Sequence, residues 1–342
     1  MSTPAAPPLL SVRGLRTYFF PDEGIVKAVD GVDLDVRPGQ VLGVVGESGC
    51  GKSVTARSIL GLVERPGRIV GGEIWLRRGA PGAERTVDLA RLDPDGPEIR
   101  SIRGAEIGFI FQEPMTSFSP VHSIGDQITE AITIHRAVPR AEARRTAAAL
   151  LRQVGVSRPE QRLDEYAYQM SGGLRQRAMI AMALAGGPRL LIADEPTTAL
   201  DVTTQAQILD LLRRLQAERD MAVILITHNL GVVAEIADEV AVMYLGRVVE
   251  RAPVDEIFYA PKHPYTRALL RSLPSVEAVP LTRLPTISGS IPHAYQRPAG
   301  CPFHPRCPER IAGVCDVGEP AETSVGPGHT VRCVLYAPGG GR

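Results

Sequence analysis

The stretch Gly46-Glu47-Ser48-Gly49-Cys50-Gly51-Lys52-Ser53 points most directly to chemistry. It fits the pattern G-x-x-x-x-G-K-[ST] of a phosphate loop. Glycines at these positions let backbone N–H groups turn inward around phosphate oxygens. A helix starting at the end of the loop adds the positive end of its dipole. Lys52 brings a point charge to the β- and γ-phosphates, and Ser53 can ligate Mg²⁺. Cys50 sits in the variable part of the loop and reads as structural. A chance Gly-rich turn is the bland alternative, and the buried strand before it and the helix after it argue against that.

A second stretch, Leu190-Leu191-Ile192-Ala193-Asp194-Glu195, ends an apolar run in two carboxylates. Asp194 is suited to hold Mg²⁺, directly or through water. Glu195, one residue on, can orient and deprotonate an attacking water. Alone, the pair reads equally well as solvated acids at a strand end; beside a phosphate loop it reads as catalytic. Gln112 and His228 also follow short apolar runs. Ligands in open α/β sheets bind beyond the carboxyl ends of the strands. These four strand ends are therefore expected to form one site, with His228 hydrogen-bonding a γ-phosphate and Gln112 touching Mg²⁺ or water. Ser171-Gly172-Gly173-Leu174-Arg175-Gln176-Arg177 offers a second anion-binding helix start, with Ser171 as its N-cap. It lacks the lysine of a phosphate loop. Its expected target is the γ-phosphate of a nucleotide held by another subunit, which implies a dimer.

The elements that must position these residues follow from the hydrophobic pattern. Residues 10–12 and 32–36 alternate apolar and polar, as strands with one covered face do. Residues 41–45 are continuously apolar, as in a strand buried on both faces. A helix is expected from 53 to about 64. Residues 71–89 read as antiparallel strands around a Gly/Pro-rich turn, and 107–111, 190–193 and 222–226 as further buried strands. Residues 128–154 and 172–185 read as helix, so that 113–186 forms a helical insertion between strands of one parallel sheet. Residues 1–8 read as a flexible leader, and a domain boundary is expected near 252.

The chain has 342 residues, 44% of them hydrophobic, with Lys+Arg and Asp+Glu equal at 38 each. A sizeable core is therefore expected, and a global basic field for nucleic acid is not. Only three lysines occur, Lys27, Lys52 and Lys262, which makes Lys52 more telling. No signal peptide and no apolar run of membrane-spanning length is read, so a reducing compartment is expected for the five cysteines. Four of them, Cys301, Cys307, Cys315 and Cys333, crowd into the last 42 residues. Their spacing, C-x5-C-x7-C-x17-C, is a weak metal signal. Four thiols in a Pro- and Gly-rich tail nonetheless suggest a staple.

In order, the phosphate loop, Gln112, Ser171-Gly172-Gly173 with Gln176, the Asp194-Glu195 strand, Ala199-Leu200-Asp201 and His228 resemble the nucleotide-binding domain of ABC transporters over residues 9–252. The resemblance implies a P-loop RecA-like α/β core with an antiparallel β subdomain and a helical insertion. It implies ATP and Mg²⁺ as cofactors, and a head-to-tail dimer holding two ATPs between phosphate loop and signature. It assigns Asp201 to a loop coupling the two sites, and an aromatic near the N-terminus to adenine stacking: Phe19, or Tyr18. Met170 stands where Leu is usual, a change conservative in volume.

Within that superfamily the chain is similar to oligopeptide, dipeptide and nickel importer ATPases. Phe111-Gln112-Glu113-Pro114-Met115-Thr116-Ser117-Phe118-Ser119-Pro120 resembles that family's stretch expected to receive the permease's coupling helix, with Phe118-Ser119 where Leu-Asn is commoner. His263-Pro264-Tyr265-Thr266-Arg267-Ala268-Leu269-Leu270 and Gly300-Cys301-Pro302-Phe303-His304-Pro305-Arg306-Cys307 resemble its C-terminal extension, residues 253–342. The resemblance implies a second ATPase subunit (a paralogue or a copy of itself), two transmembrane permease subunits, an extracytoplasmic binding protein, and a place on the cytoplasmic face of the membrane. It also likens the four tail cysteines to the ligands of a [4Fe–4S] cluster; zinc and unliganded thiols are the other readings. His304 reads as structural. A nickel or other solute importer, an exporter ATPase, and a non-transport ATPase acting on ribosomes or DNA are the alternative functions. The last fits poorly with one motif set, no heptad run and balanced charge.

Overall fold

A computed structural model of the chain describes residues 7–79, 83–113, 117–198, 200–272, 287–293 and 295–337. It divides into two compact units, one made mainly of residues 91–226 with 36–41, the other of 10–35, 42–90 and 227–342.

The first unit is built on three parallel strands, Ile107–Ile110, Leu190–Asp194 and Ala222–Thr227. Leu190 stands opposite both Ile107 and Ala222, so Ile110 lies level with Ala193 and Leu225, and Asp194, one residue further, with Ile226. The second and third strands are buried at every position, as expected of apolar runs covered on both faces. Two helices stand where residues 128–154 read as one: Ile124–Thr133 and Arg140–Gln153. Ser123 caps the first, accepting from the Asp126 N–H, and its Ile124, Ile128 and Ile132 repeat at four-residue spacing on a buried face. Pro139 at the N-cap starts the second helix anew, since a proline inside one continuous helix would lack its N–H and clash with the preceding turn. Helices Gly172–Ala183 and Val202–Arg219 complete the unit; Leu209, Leu212 and Leu215 bury one face of the latter.

The second unit holds a four-stranded sheet in the order Val26–Val36, Leu10–Phe19, Gly67–Arg78, Arg85–Asp88. Leu10–Phe19 and Arg85–Asp88 each pair antiparallel with Gly67–Arg78. The expected antiparallel region is thus present, and the Gly/Pro-rich turn at 80–82 lies outside the described residues. Strand Val41–Val45, buried throughout, pairs parallel with Glu239–Tyr244, which turns back antiparallel as Arg247–Pro253. Helix Lys52–Ile59 follows the phosphate loop and ends earlier than the expected 64. Gly61, at φ 61°, reverses the chain there: its N–H donates to Ser58 and that of Leu62 to Arg57, closing a two-bond helix stop.

The C-terminal residues are stitched into this second unit. Strand His329–Val331 pairs with Arg247–Pro253, Glu250 opposite Val331. Glu250, 1% exposed, accepts hydrogen bonds from the N–H groups of Lys262 and His263 and from the ring of His329. A buried carboxylate is tolerated here because three donors surround it. His263 in turn caps helix Pro264–Arg271: its Nδ1 accepts from the Tyr265 N–H at 3.0 Å.

Burial, with Arg267 nearby, holds the His263 pKa down at about 3. An unfolded histidine titrates near ~6.5. Between those values the unfolded chain binds a proton that the native chain refuses, so stability must fall as pH drops below about 6.5. Replacing His263 with Asn keeps a capping acceptor and removes the titration. Thermal unfolding of the chain should lose roughly 1 kcal/mol between pH 6.5 and 5.5 relative to the His263→Asn variant. Parallel pH profiles for the two proteins would refute the assignment.

Candidate functional site

The phosphate loop lies in the second unit, between strand Val41–Val45 and helix Lys52–Ile59. Its glycines are required by space as well as by conformation. A Cβ on Gly46 would stand 2.2 Å from the Met243 carbonyl oxygen, and one on Gly51, at φ 103°, would stand 2.3 Å from that of Ala28. Both obstacles are backbone and cannot swing aside. Lys52 is 5% exposed, and its ammonium donates to the carbonyls of Gly46 at 2.8 Å and Glu47 at 3.1 Å. The charge therefore sits inside the loop's own curve, where an anion would meet it. Cys50 is buried in the same loop, and burial pushes its thiol pKa up. Glu47 is held from outside: its N–H donates to the Tyr265 hydroxyl at 2.9 Å, and its carboxylate accepts both terminal nitrogens of Arg306 at 2.7 and 3.0 Å.

The carboxylates lie in the first unit. Asp194 is 2% exposed at the end of its strand. Glu195 adopts φ 49°, unusual outside glycine, and its N–H donates to Ile226. Its Oε2 accepts from Gln112 Nε2 at 3.2 Å and from the Thr198 hydroxyl at 2.8 Å. Gln112 and Glu195 thus meet within one unit. Thr198 was not singled out from sequence; its place three residues after Glu195 in a turn was the available signal.

Ser171 caps helix Gly172–Ala183, accepting from the Leu174 N–H at 3.4 Å. It is exposed, as are Gly172 and the Asp201 cap of helix Val202–Arg219, whereas Gln176 is buried. Asp201 accepts from both the Thr204 hydroxyl and its N–H, which together lower its pKa. Ala199 lies outside the described residues, as do Pro114–Thr116 in numbers 114–116. His228 is exposed in the second unit, one residue before the Asn229 cap of helix Leu230–Ile236. Of the two N-terminal aromatics, Tyr18 commits its hydroxyl to Asp30 at 2.6 Å, and burial with that bond pushes its pKa to about 12. Phe19 lays its ring against Gly67, where an added Cβ would stand 2.6 Å away.

Comparison with known proteins assigns this arrangement to a family. A family model described as ABC transporter matches residues 29–198, and one described as the oligopeptide/dipeptide transporter C-terminal region matches 249–315. The chain is 50% identical to a probable peptide ABC transporter ATP-binding protein of Sinorhizobium fredii, over 97% of this chain and 96% of that one. It is 46% identical to a dipeptide transport ATP-binding protein of Escherichia coli, over 95% and 96% of the two chains. This chain belongs to the ABC transporter ATP-binding family. A dimeric ATP-binding cassette in a post-hydrolysis state with ADP and phosphate matches at TM-score 0.62 and 26% identity, covering 72% of this chain and 98% of that one. The cassette fold expected from the motifs is therefore the observed one.

The tail of this ABC protein gathers its four late cysteines. Cys301, Cys307, Cys315 and Cys333 are all free thiols and line one small pocket, with Phe303 and Leu335 among its apolar walls. Burial, with each thiol near the others, pushes Cys333 to about 12 and Cys307 to about 11. The Ile311 N–H donates to Cys315 sulfur at 3.3 Å, and His304 directs Nδ1 to the Cys301 carbonyl. Among the described residues, no three His, Cys, Asp or Glu side chains form a group able to hold a metal ion.

Proposed function

We propose that this chain hydrolyses ATP to drive an ABC importer of di- or oligopeptides. The observation that carries the reading is the phosphate loop built around a buried lysine; in the other unit, Gln112 and Thr198 orient the Glu195 carboxylate. Backbone N–H groups of residues 48–53 bind the phosphates, Lys52 neutralises their charge, and Ser53, Asp194 and Gln112 hold Mg²⁺. Glu195 takes a proton from the attacking water, and His228 hydrogen-bonds the γ-phosphate. Phe19 stacks on adenine. Ser171, Gly172 and Asp201, exposed on the first unit, and the half-buried Gly173 serve the ATP of the second subunit. That subunit is a paralogue or a second copy.

Peptide as cargo class rests on the near-full-length relatives named for peptide and dipeptide transport, and on the C-terminal match at 249–315. Among the described residues no helix is long and apolar enough to cross a membrane. In this reading the work is transmitted to separate permease subunits, on whose cytoplasmic side the chain sits. An extracytoplasmic binding protein delivers the cargo.

Cys301, Cys307, Cys315 and Cys333 would be the ligands of a [4Fe–4S] cluster in the tail. Four free thiols line the tail pocket beside an N–H···S donor and apolar walls, and thiols are the donors such a cluster uses, although they are not gathered into a metal-holding group here. When bound, the cluster ties four separated points of an irregular tail together. The residues supply thiolates and exclude water.

Two measurements test these readings. In lipid vesicles holding the neighbouring permeases, ATP turnover should rise with peptide-loaded binding protein, and Glu195→Gln should bind ATP with turnover reduced by about 10²-fold or more. Wild-type turnover in that variant would remove Glu195 from catalysis. Chain purified without oxygen should carry iron and acid-labile sulfide in equal amounts, lost on Cys315→Ser. Stoichiometric zinc, or four unliganded thiols, would refute the cluster.

A further inference from the structure

Two tail motifs have no part in the chemistry above, yet both reach one residue of the phosphate loop. Tyr265 is the second residue of helix Pro264–Arg271, and Arg306 ends the short turn His304–Arg306 just before Cys307. Tyr265 is fully buried and accepts the Glu47 N–H through its hydroxyl. Arg306, with a side chain 4% exposed, forms a two-pronged ion pair with the Glu47 carboxylate. Its Nε donates to the Ser288 carbonyl, and its guanidinium stands 5.8 and 5.9 Å from the ring centres of Tyr244 and Phe303. The rings of Tyr244, Tyr265 and Phe303 pack within 4.6–5.3 Å of one another. The fork is thus fixed before it meets the loop.

We propose that Arg306 and Tyr265 are positioning residues for ATP: they hold Glu47 by side chain and main chain, and so set the affinity of the phosphate loop for nucleotide. The proposal rests on reading residues 46–53 as the ATP site. Packing alone does not account for the contact. A buried ion pair contributes little net stability compared with apolar side chains of the same volume. What it supplies is fixed geometry, because a planar guanidinium fork admits one orientation of the carboxylate. That geometry is delivered to the residue whose carbonyl also accepts from Lys52. Turning Glu47 would move the Lys52 ammonium and the amides that follow. Arg306 adjoins Cys307, so the conformation of the four-thiol pocket reaches the ATP site through one side chain.

The test is steady-state ATP hydrolysis and equilibrium binding of a fluorescent ATP analogue, using the full chain. The variants are Arg306→Ala, Arg306→Lys, Tyr265→Phe, Glu47→Gln and the Glu47→Gln/Arg306→Ala double. Arg306→Ala and Glu47→Gln should each raise the ATP KM about fivefold or more while kcat at saturation falls much less. The double variant should be no worse than the worse single one, since both remove the same bond. Arg306→Lys, keeping charge without the fork, should fall between wild type and Arg306→Ala. Tyr265→Phe, which keeps the ring packing, should raise KM without lowering the melting temperature by more than a few degrees. Wild-type KM in Arg306→Lys and Tyr265→Phe would overturn the proposal, as would losses that multiply in the double variant. A wild-type chain with no ATP turnover would instead sink the functional reading.

Discussion

A lysine ammonium sequestered inside a loop of its own carbonyls is the constraint on which the rest of the structure depends. Lys52 is held by the carbonyls of Gly46 and Glu47 and is almost fully shielded from water. A buried cation in that position is tolerable only with hydrogen-bond acceptors around it, and it attracts an anion into the space the loop encloses. The loop can curve that tightly because Gly46 and Gly51 pass within contact distance of neighbouring backbone. It can hold its curve because it is anchored at both ends, by a strand buried on both faces and by the first turn of a helix. Every other functional residue has meaning relative to the anion this loop would hold.

Much of this was legible in the sequence because it is local. A five-residue apolar run, a glycine-spaced loop and a lysine are contiguous, and the continuous apolar pattern of the strand has one economical solution. The carboxylate strand and the Ser171 cap were legible for the same reason, whereas Asp201 entered only through the family resemblance and its capping of helix Val202–Arg219 emerges from the structure. The break at 134–139 was less so, because alanine- and arginine-rich stretches on either side favour helix equally and only Pro139 marks the join. The grip on Glu47 was not legible at all. Its partners lie 218 and 259 residues away, and no periodicity records such a pairing. The tail motifs could be matched to a family from sequence, but the reason for their residue types emerges only where they touch the loop.

The same logic explains how a tail with few regular elements keeps its place. Glu250, Asp30 and Glu47 are shielded or partly shielded carboxylates in the second unit, and each is bound by donors from late in the chain. Glu250 takes His329 and the backbone at 262–263; Asp30 takes Arg297 and Arg247; Glu47 takes Arg306. Such pairs specify position more than they add stability. Three of them, spread over the unit, fix where the four-thiol pocket sits with respect to the loop.

The most direct test of the central claim is calorimetric titration of the full chain with Mg·ATP, comparing wild type with Lys52→Ala. Saturable binding in the wild type, weakened by at least about tenfold in the variant, is the predicted result. Equal binding by both proteins would show that the buried ammonium does not hold the nucleotide and would contradict the account.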